Sequence, residues 1–164
     1  MKIRAANEKD FAAIWKIFKA IIERGDTYVN DANTTADEAY AKWMSDKADT
    51  FVAEKDGKIL GAYLIKPNQV GRGSHVGNAS YIVDEAARGQ GLGKALAQHS
   101  IASAKDLGYR AIQFNFVVST NEAAVKLWKS VGFKIIGIVP QAFNHKALGY
   151  VDAYVMFREV WFLA

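Results

Sequence analysis

Arg88-Gly89-Gln90-Gly91-Leu92-Gly93-Lys94 follows the apolar run Ala79-Ser80-Tyr81-Ile82-Val83 and opens a helical pattern that extends to about Leu107. Strand, glycine loop and helix in that order define a βα unit, and the loop says what the unit is for. Three glycines at alternate positions leave a segment without side chains, so its N–H groups can close around a ligand. The helix N-terminus adds further unpaired N–H groups and the positive end of the helix dipole, both of which favour an anion. Arg88 and Lys94 add cationic side chains at the two edges. The stretch reads as a cradle for a diphosphate.

Two other phosphate motifs fail on particular residues. The dinucleotide fingerprint G-x-G-x-x-G finds Gly89 and Gly91, but its third glycine falls on Lys94, and the unit lies halfway along the chain instead of at its start. A P-loop needs a glycine five residues ahead of its Gly-Lys pair and Ser or Thr after it. Arg88 and Ala95 stand at those places, which argues against magnesium–triphosphate chemistry.

Outward from the loop, the pattern predicts a strand over Lys2 to Ala5, then a helix capped by Asn7 or Asp10. Phe11, Ile14, Trp15, Phe18, Ile21 and Ile22 share one face of that helix, and Gly25 ends it. Asp26 to Thr35 has loop chemistry, and a short helix follows over Ala36 to Met44. Thr50 to Glu54 and Lys58 to Lys66 form a hairpin around Lys55-Asp56-Gly57. Pro67 to Gly77 is a Gly-rich connection. Val76 to Val83 and Ala111 to Val118 are strands on either side of the glycine-loop helix, which Gly108 stops. Ser119-Thr120-Asn121-Glu122 fits a capping box for a helix that buries Ala124, Leu127, Trp128 and Val131. Strands over Phe133 to Val139 and Tyr150 to Val160 close the chain, joined by a loop over Pro140 to Gly149. The fold class is α/β, a mixed sheet with helices on its faces.

Composition narrows the function. The 164 residues suit one domain, 1–164, with 51% hydrophobic and 23% charged residues. A net charge of +4, scattered along the chain, accommodates a phosphate-rich small ligand but lacks the clustered basic stripe of a nucleic-acid surface. There is no cysteine, so disulfides, thiolate metal sites and a cysteine nucleophile are excluded. His75, His99 and His145 have no metal-ligand spacing, and no metal is expected. No apolar run approaches the ~20 residues that span a bilayer, and no signal region opens the chain, so the expectation is a cytoplasmic protein.

Arg88-x-x-Gly91-x-Gly93 after a strand resembles motif A of the GNAT superfamily of N-acetyltransferases. Asn121-x-x-Ala124-x-x-Leu127-Trp128-x-x-x-Gly132-Phe133 is similar to the second family signature, and the opening Ile3-Arg4-Ala5-Ala6 and the element order match as well. The likeness covers nearly the whole chain. It implies a mostly antiparallel sheet whose central parallel pair, Val76–Val83 and Ala111–Val118, splays apart to admit acetyl-CoA. Backbone groups at Ile82 and Val83 would pair with the pantetheine arm. Amides from Arg88 through Gly89, Gln90, Gly91, Leu92 and Gly93 to Lys94 would hold the diphosphate, and Asn121 would reach the cofactor. The implied reaction is direct attack of a free amine on the thioester, with a backbone N–H near Val83 stabilising the oxyanion. Lys94 also fits a solvated first-turn lysine, and Asn121 a helix-start residue.

Two departures bear on proton transfer. Trp128 replaces the tyrosine that often protonates the leaving thiolate, which leaves Tyr81, Tyr154 or solvent for that role. The strand before the cradle lacks the glutamate that some members use as base; Asp84 and Glu85 lie on its loop side. Water held by Asn115 and Ser80 is the route that remains. On the substrate side, the segment Phe18 to Tyr28 is similar to the branch that acetylates amino acids and phosphinothricin-type compounds. Phe114-Asn115-Phe116-Val117-Val118 and Val151-Asp152-Ala153-Tyr154 resemble the fungal acetyltransferases acting on toxic proline analogues. That resemblance implies substrate contacts at Asn115 and Asn144, with Tyr28 in the early loop and Asn115 also a candidate catalytic residue. An asparagine buried within a strand is locally costly, which a ligand partner would offset. The expected acceptor is a small amino-acid-like amine. Acetylation of a protein N-terminus or lysine, and a non-catalytic acyl-CoA binding module, are the alternatives. Homodimers are common in the family, but no residue pattern here selects an interface.

Overall fold

Strand side chains point alternately to the two faces of a sheet, and this chain uses that alternation to build two cores. On β3 (Lys58–Pro67), Tyr63 and Ile65 belong to one buried cluster while Ala62 and Leu64 belong to the other. The computed structural model, which describes residues 1–161, shows a seven-stranded sheet with a helical layer on each face. Its other strands are β1 (Lys2–Ala5), β2 (Asp49–Lys55), β4 (Val76–Val83), β5 (Ala111–Val118), β6 (Lys134–His145) and β7 (Gly149–Glu159). Their spatial order is β1-β2-β3-β4-β5-β7-β6, and the β4–β5 pairing is the parallel one.

Helices α1 (Phe11–Arg24) and α2 (Ala36–Trp43) cover one face, with Ile14, Phe18, Ile21 and Trp43 packed onto Val52, Leu64 and Ile82. Helices α3 (Leu92–Asp106) and α4 (Glu122–Ser130) cover the other, where Leu96 and Trp128 meet Tyr63, Phe114 and Met156. The ends of α1 behave as its sequence implies. Asn7 and Asp10 form a capping box over a 3-10 turn that leads into the helix, and Gly25 closes it at a φ of 65°. An ion-pair staple fastens the start of the chain: Arg4 makes two bonds to Asp10, at 2.7 and 2.9 Å, and one to Glu54 at 2.8 Å.

Two expectations need correction. Pro140 to Gly149 is strand up to His145, so the β6–β7 connection shrinks to a tight turn. Pro140 is tolerated because β6 is an edge strand and bulges there: Val139 faces Ala153 and Phe143 faces Val151. Gln141, at a φ of 50°, donates its N–H to the Asp152 carboxylate at 2.9 Å and so fixes the bulge. The capping box expected at Ser119-Thr120-Asn121-Glu122 does not form; Asn121 is the cap, its side-chain oxygen accepting from Ala124 N–H at 3.3 Å. The Gly-rich connection after Pro67 holds a short 3-10 turn over Gly71–Gly73.

The Arg4 bonds hold the buried Asp10 carboxyl below its usual range, against the opposing effect of burial. Its stabilisation is therefore present above the unfolded-state value near ~4 and is lost as pH falls through the lower folded value. Asp10→Asn is expected to lower stability by about 1–3 kcal/mol at neutral pH. Urea unfolding should show the gap from the wild type narrowing in acid; a gap independent of pH would refute the assignment.

Candidate active site

Parallel strands β4 and β5 pair only at Val76 with Ala111 and Gly77 with Ile112, and then part. The cause lies in β5. Phe114 faces Met156 of β7 and Val117 faces Tyr154, so Asn115 and Phe116 together span the single step of Val155. That bulge bends β5 away from β4 and shifts its side-chain parity, bringing Val117 into the cluster of Phe114. Main-chain groups released by the split find other partners. The Asn78 amide donates to the Gln113 carbonyl at 3.0 Å, and the Tyr28 hydroxyl donates to the Tyr81 carbonyl at 2.8 Å. Burial pushes the Tyr28 hydroxyl well above its usual range, with Ser80 and the Tyr81 carbonyl partly opposing the shift.

The split opens a cleft of about 300 Å³ whose walls are β4 from Asn78 to Val83, β5 from Phe114 to Val118, and the start of α4. Arg88 stands at one end, and Arg24, Thr27, Tyr28 and Lys42 at the other. Ile82 is buried against the α1–α2 core and its main chain faces Ala62 of β3, so of the two residues expected to meet the cofactor arm only half-buried Val83 turns its main chain to the cleft.

The cradle lies at the Arg88 end. Gly89 and Gly91 adopt φ of 74° and 79°, and a Cβ added to either would meet open space. Glycine is therefore needed for the backbone conformation, which costs other residues ~1–2 kcal/mol. Gly91 caps α3 without a side-chain bond, and the first bond of the helix runs from Ala95 N–H to Gly91 C=O. Among the described residues, none of the six N–H groups from Gly89 to Lys94 has an acceptor. Gly93 serves the packing instead, because a Cβ there would lie 3.2 Å from Leu127, and its absence lets α3 approach α4. Arg88, Gln90 and Lys94 are exposed, and Leu92 is buried in the core.

Placement of the remaining expected residues is mixed. Asn121 lines the cleft while its oxygen caps α4, which leaves its amide nitrogen unused by the cap. Asn115 also lines the cleft, yet it is exposed, not buried. It donates to Asn68 at 2.7 Å and accepts from Gln113 at 3.0 Å, so the bulge has already satisfied it. Asn144 is exposed on β6 opposite Tyr150 and is not among the residues that line the cleft. The β6–β7 turn does reach α1, through Lys146 N–H to the Gly25 carbonyl at 3.0 Å.

The candidate proton carriers are largely committed elsewhere. The Tyr81 hydroxyl bonds Ser100 at 2.7 Å, and burial drives it upward. Tyr154 lies in a separate hollow beside α4. Asp84 caps a short turn through Ala86 N–H, and Trp128 packs against Tyr81 and Phe114 at 4.6 and 4.7 Å. His99 is a packed helix residue bonded to Tyr63 at 2.7 Å, and His145 accepts two N–H groups of its own turn. No cluster of potential metal ligands occurs among the described residues, nor any helix long and apolar enough to cross a membrane. Sequence reasoning missed Asn78, Arg24, Thr27 and Lys42. A polar residue inside an apolar strand was a signal for Asn78; the other three read as ordinary helix-end and loop residues.

Similarity to known proteins bears on this arrangement. The model of the acetyltransferase (GNAT) family matches residues 14–133. N-acetyltransferase aca1 of Schizosaccharomyces pombe is 35% identical over 151 residues, covering 82% of this chain and 72% of that protein. L-amino acid N-acetyltransferase AaaT of Escherichia coli is 29% identical over 161 residues, covering 95% and 96%. A GCN5-related N-acetyltransferase from Kribbella flavida superposes with a TM-score of 0.92 at 45% identity over 96% of both chains. The yncA protein of Salmonella typhimurium, solved with its cofactor acetyl-CoA, has a TM-score of 0.88 at 25% identity, covering 100% of this chain and 96% of that one.

If Asn78 is the clasp at the base of the fork, Asn78→Leu strands the Gln113 carbonyl. The expected loss is about 1–3 kcal/mol in chemical denaturation. A variant as stable as the wild type would show that the fork does not need it.

Proposed function

The chain belongs to the GNAT acetyltransferase family, with acetyl-CoA as co-substrate, and we propose that it acetylates the amine of a small amino-acid-like molecule. One observation carries the reading: six consecutive N–H groups without main-chain partners, Gly89 to Lys94, follow directly on Arg88, which lines the fork between two parallel strands. Adenosine-bearing diphosphates suit such a cradle, and an extended thiol arm suits the unpaired edge of β4. Likeness to an L-amino acid N-acetyltransferase, and a cleft of only about 300 Å³, support a small acceptor.

Each residue then has a defined role. The amides of Gly89 to Lys94 hold the diphosphate, with Arg88 and Lys94 adding charge at its edges. Main-chain groups of Val83 align the arm, and the amide of Asn121 adds a donor from α4. Acetyl-CoA supplies an acyl thioester already reactive toward amines. The N–H at Val83 is the donor that would meet developing charge on the acyl oxygen. Neither a carboxylate nor an imidazole is among the residues lining the cleft, so water held beside Ser80 takes the proton from the amine.

Thiol release measured across a panel of amino acids, amines and peptides tests the reading. Release is expected with free amino acids, and none with any amine would sink it. Gly91→Glu tests the cradle by placing an anion where the diphosphate belongs, at a φ that already disfavours a side chain. Titration calorimetry should show acetyl-CoA affinity reduced at least ~100-fold, about 2.7 kcal/mol. Unchanged affinity in a folded variant would refute the cradle assignment.

A further inference from the structure

The end of the cleft away from the cradle holds donors without acceptors. Arg24 Nε and Thr27 Oγ1 are buried and make no hydrogen bond, and Asp26 Oδ1 is likewise buried and unpartnered. Lys42 has only the side-chain oxygen of Asn30, at 3.5 Å, and enters no ion pair among the described residues. All three line the cleft. Asp26 is the acid nearest Arg24, 3.6 Å from Nε, and it is not among the lining residues, so it orients that side chain without closing the site. The ammonium of Lys42 lies 4.7 Å from the Tyr28 ring centre and 5.2 Å from that of Phe18, which favour a cation without neutralising it. Burial, aided by the positive charge of Lys66, lowers Lys42 to about 8. Two cationic side chains thus line this end of the cleft, with Asp26 beside Arg24 as the one carboxylate paired to either among the described residues.

We propose that Arg24, Thr27 and Lys42 form a carboxylate subsite, so that the acetyl acceptor is a free amino acid whose amine points into the β4–β5 fork. The proposal rests on the acetyl-transfer reading above and narrows it. Guanidinium, hydroxyl and ammonium groups are the donors from which a two-oxygen anion accepts, and all three line this end of the cleft. A polyamine would bring a second cation against Lys42. A peptide amine would bring a neutral amide where a carboxylate is called for. The aromatic platform of Phe18 and Tyr28 keeps the ammonium in place when the subsite is empty.

Thiol release with alanine, methionine and proline beside their carboxamides, and with putrescine, tests the subsite. The expected preference for the best free amino acid over its carboxamide is at least about tenfold in kcat/KM. Lys42→Met should remove that preference through KM for the amino acid while leaving KM for acetyl-CoA unchanged. Lys42→Arg should restore it, and Arg24→Gln should weaken it. Carboxamides or putrescine turned over as well as free amino acids would overturn the subsite and leave acetyl transfer standing. The same preference retained in folded Lys42→Met and Arg24→Gln variants would also overturn it. Release with no amine at all would overturn the acetyl-transfer reading and the subsite with it.

Discussion

Two neighbouring strands that pair at two positions and then diverge leave a line of main-chain donors and acceptors without a ladder. An unmade backbone hydrogen bond in a protein interior costs ~1–3 kcal/mol, so a split in the middle of a sheet persists only where something else supplies partners. Here β7 stays paired with β5 on both sides of the bulge at Asn115 and Phe116, which preserves the sheet while β5 turns from β4. Asn78 and Tyr28 take up carbonyls on either side of the gap. The rest of the edge is left for a ligand. A site built this way binds an extended chain by extending the sheet, and needs few specialised side chains.

The two ends of the gap are made differently. At one end the positive character is main chain: uncapped amides at the start of α3, exposed by glycines whose left-handed conformation admits no other residue cheaply. At the other end it is side chain, from α1, α2 and the loop between them, held against aromatic rings. Backbone amides suit a ligand portion that never varies, whereas side chains can differ between relatives without disturbing the sheet. Packing ties the ends together. The close approach of α3 to α4 at Gly93 and Leu127 sets Asn121 beside the gap, and Trp128 fills the space among Tyr81, Phe114 and Phe133.

Most elements could be read directly from the chain because their signals are local. The apolar runs of β4 and β5, the left-handed glycines at 25 and 108, and the periodic face of α1 each specify an element without help from distant residues. Two misreadings share one cause. Pro140 suggests a loop, but β6 is an edge strand whose partner provides Asp152 for the bulge. Asn115 suggests a buried amide awaiting a ligand, but a one-residue shift turns it outward to Asn68 and Gln113. A bulge records which strand lies alongside, and that information is not local.

What the amino-acid sequence determined by itself was the glycine loop, its place between a strand and a helix, and the family whose two motifs it carries. These depend on backbone conformation and hydrophobic period, which neighbouring residues set. Only the tertiary structure decided where β4 and β5 separate, which polar groups the gap leaves free, and that Arg24, Thr27 and Lys42 share one wall with residues from β4 and β5. Those outcomes follow from register and from the docking of α1 and α2, where contacts between residues far apart in the chain outweigh any preference of the residues themselves.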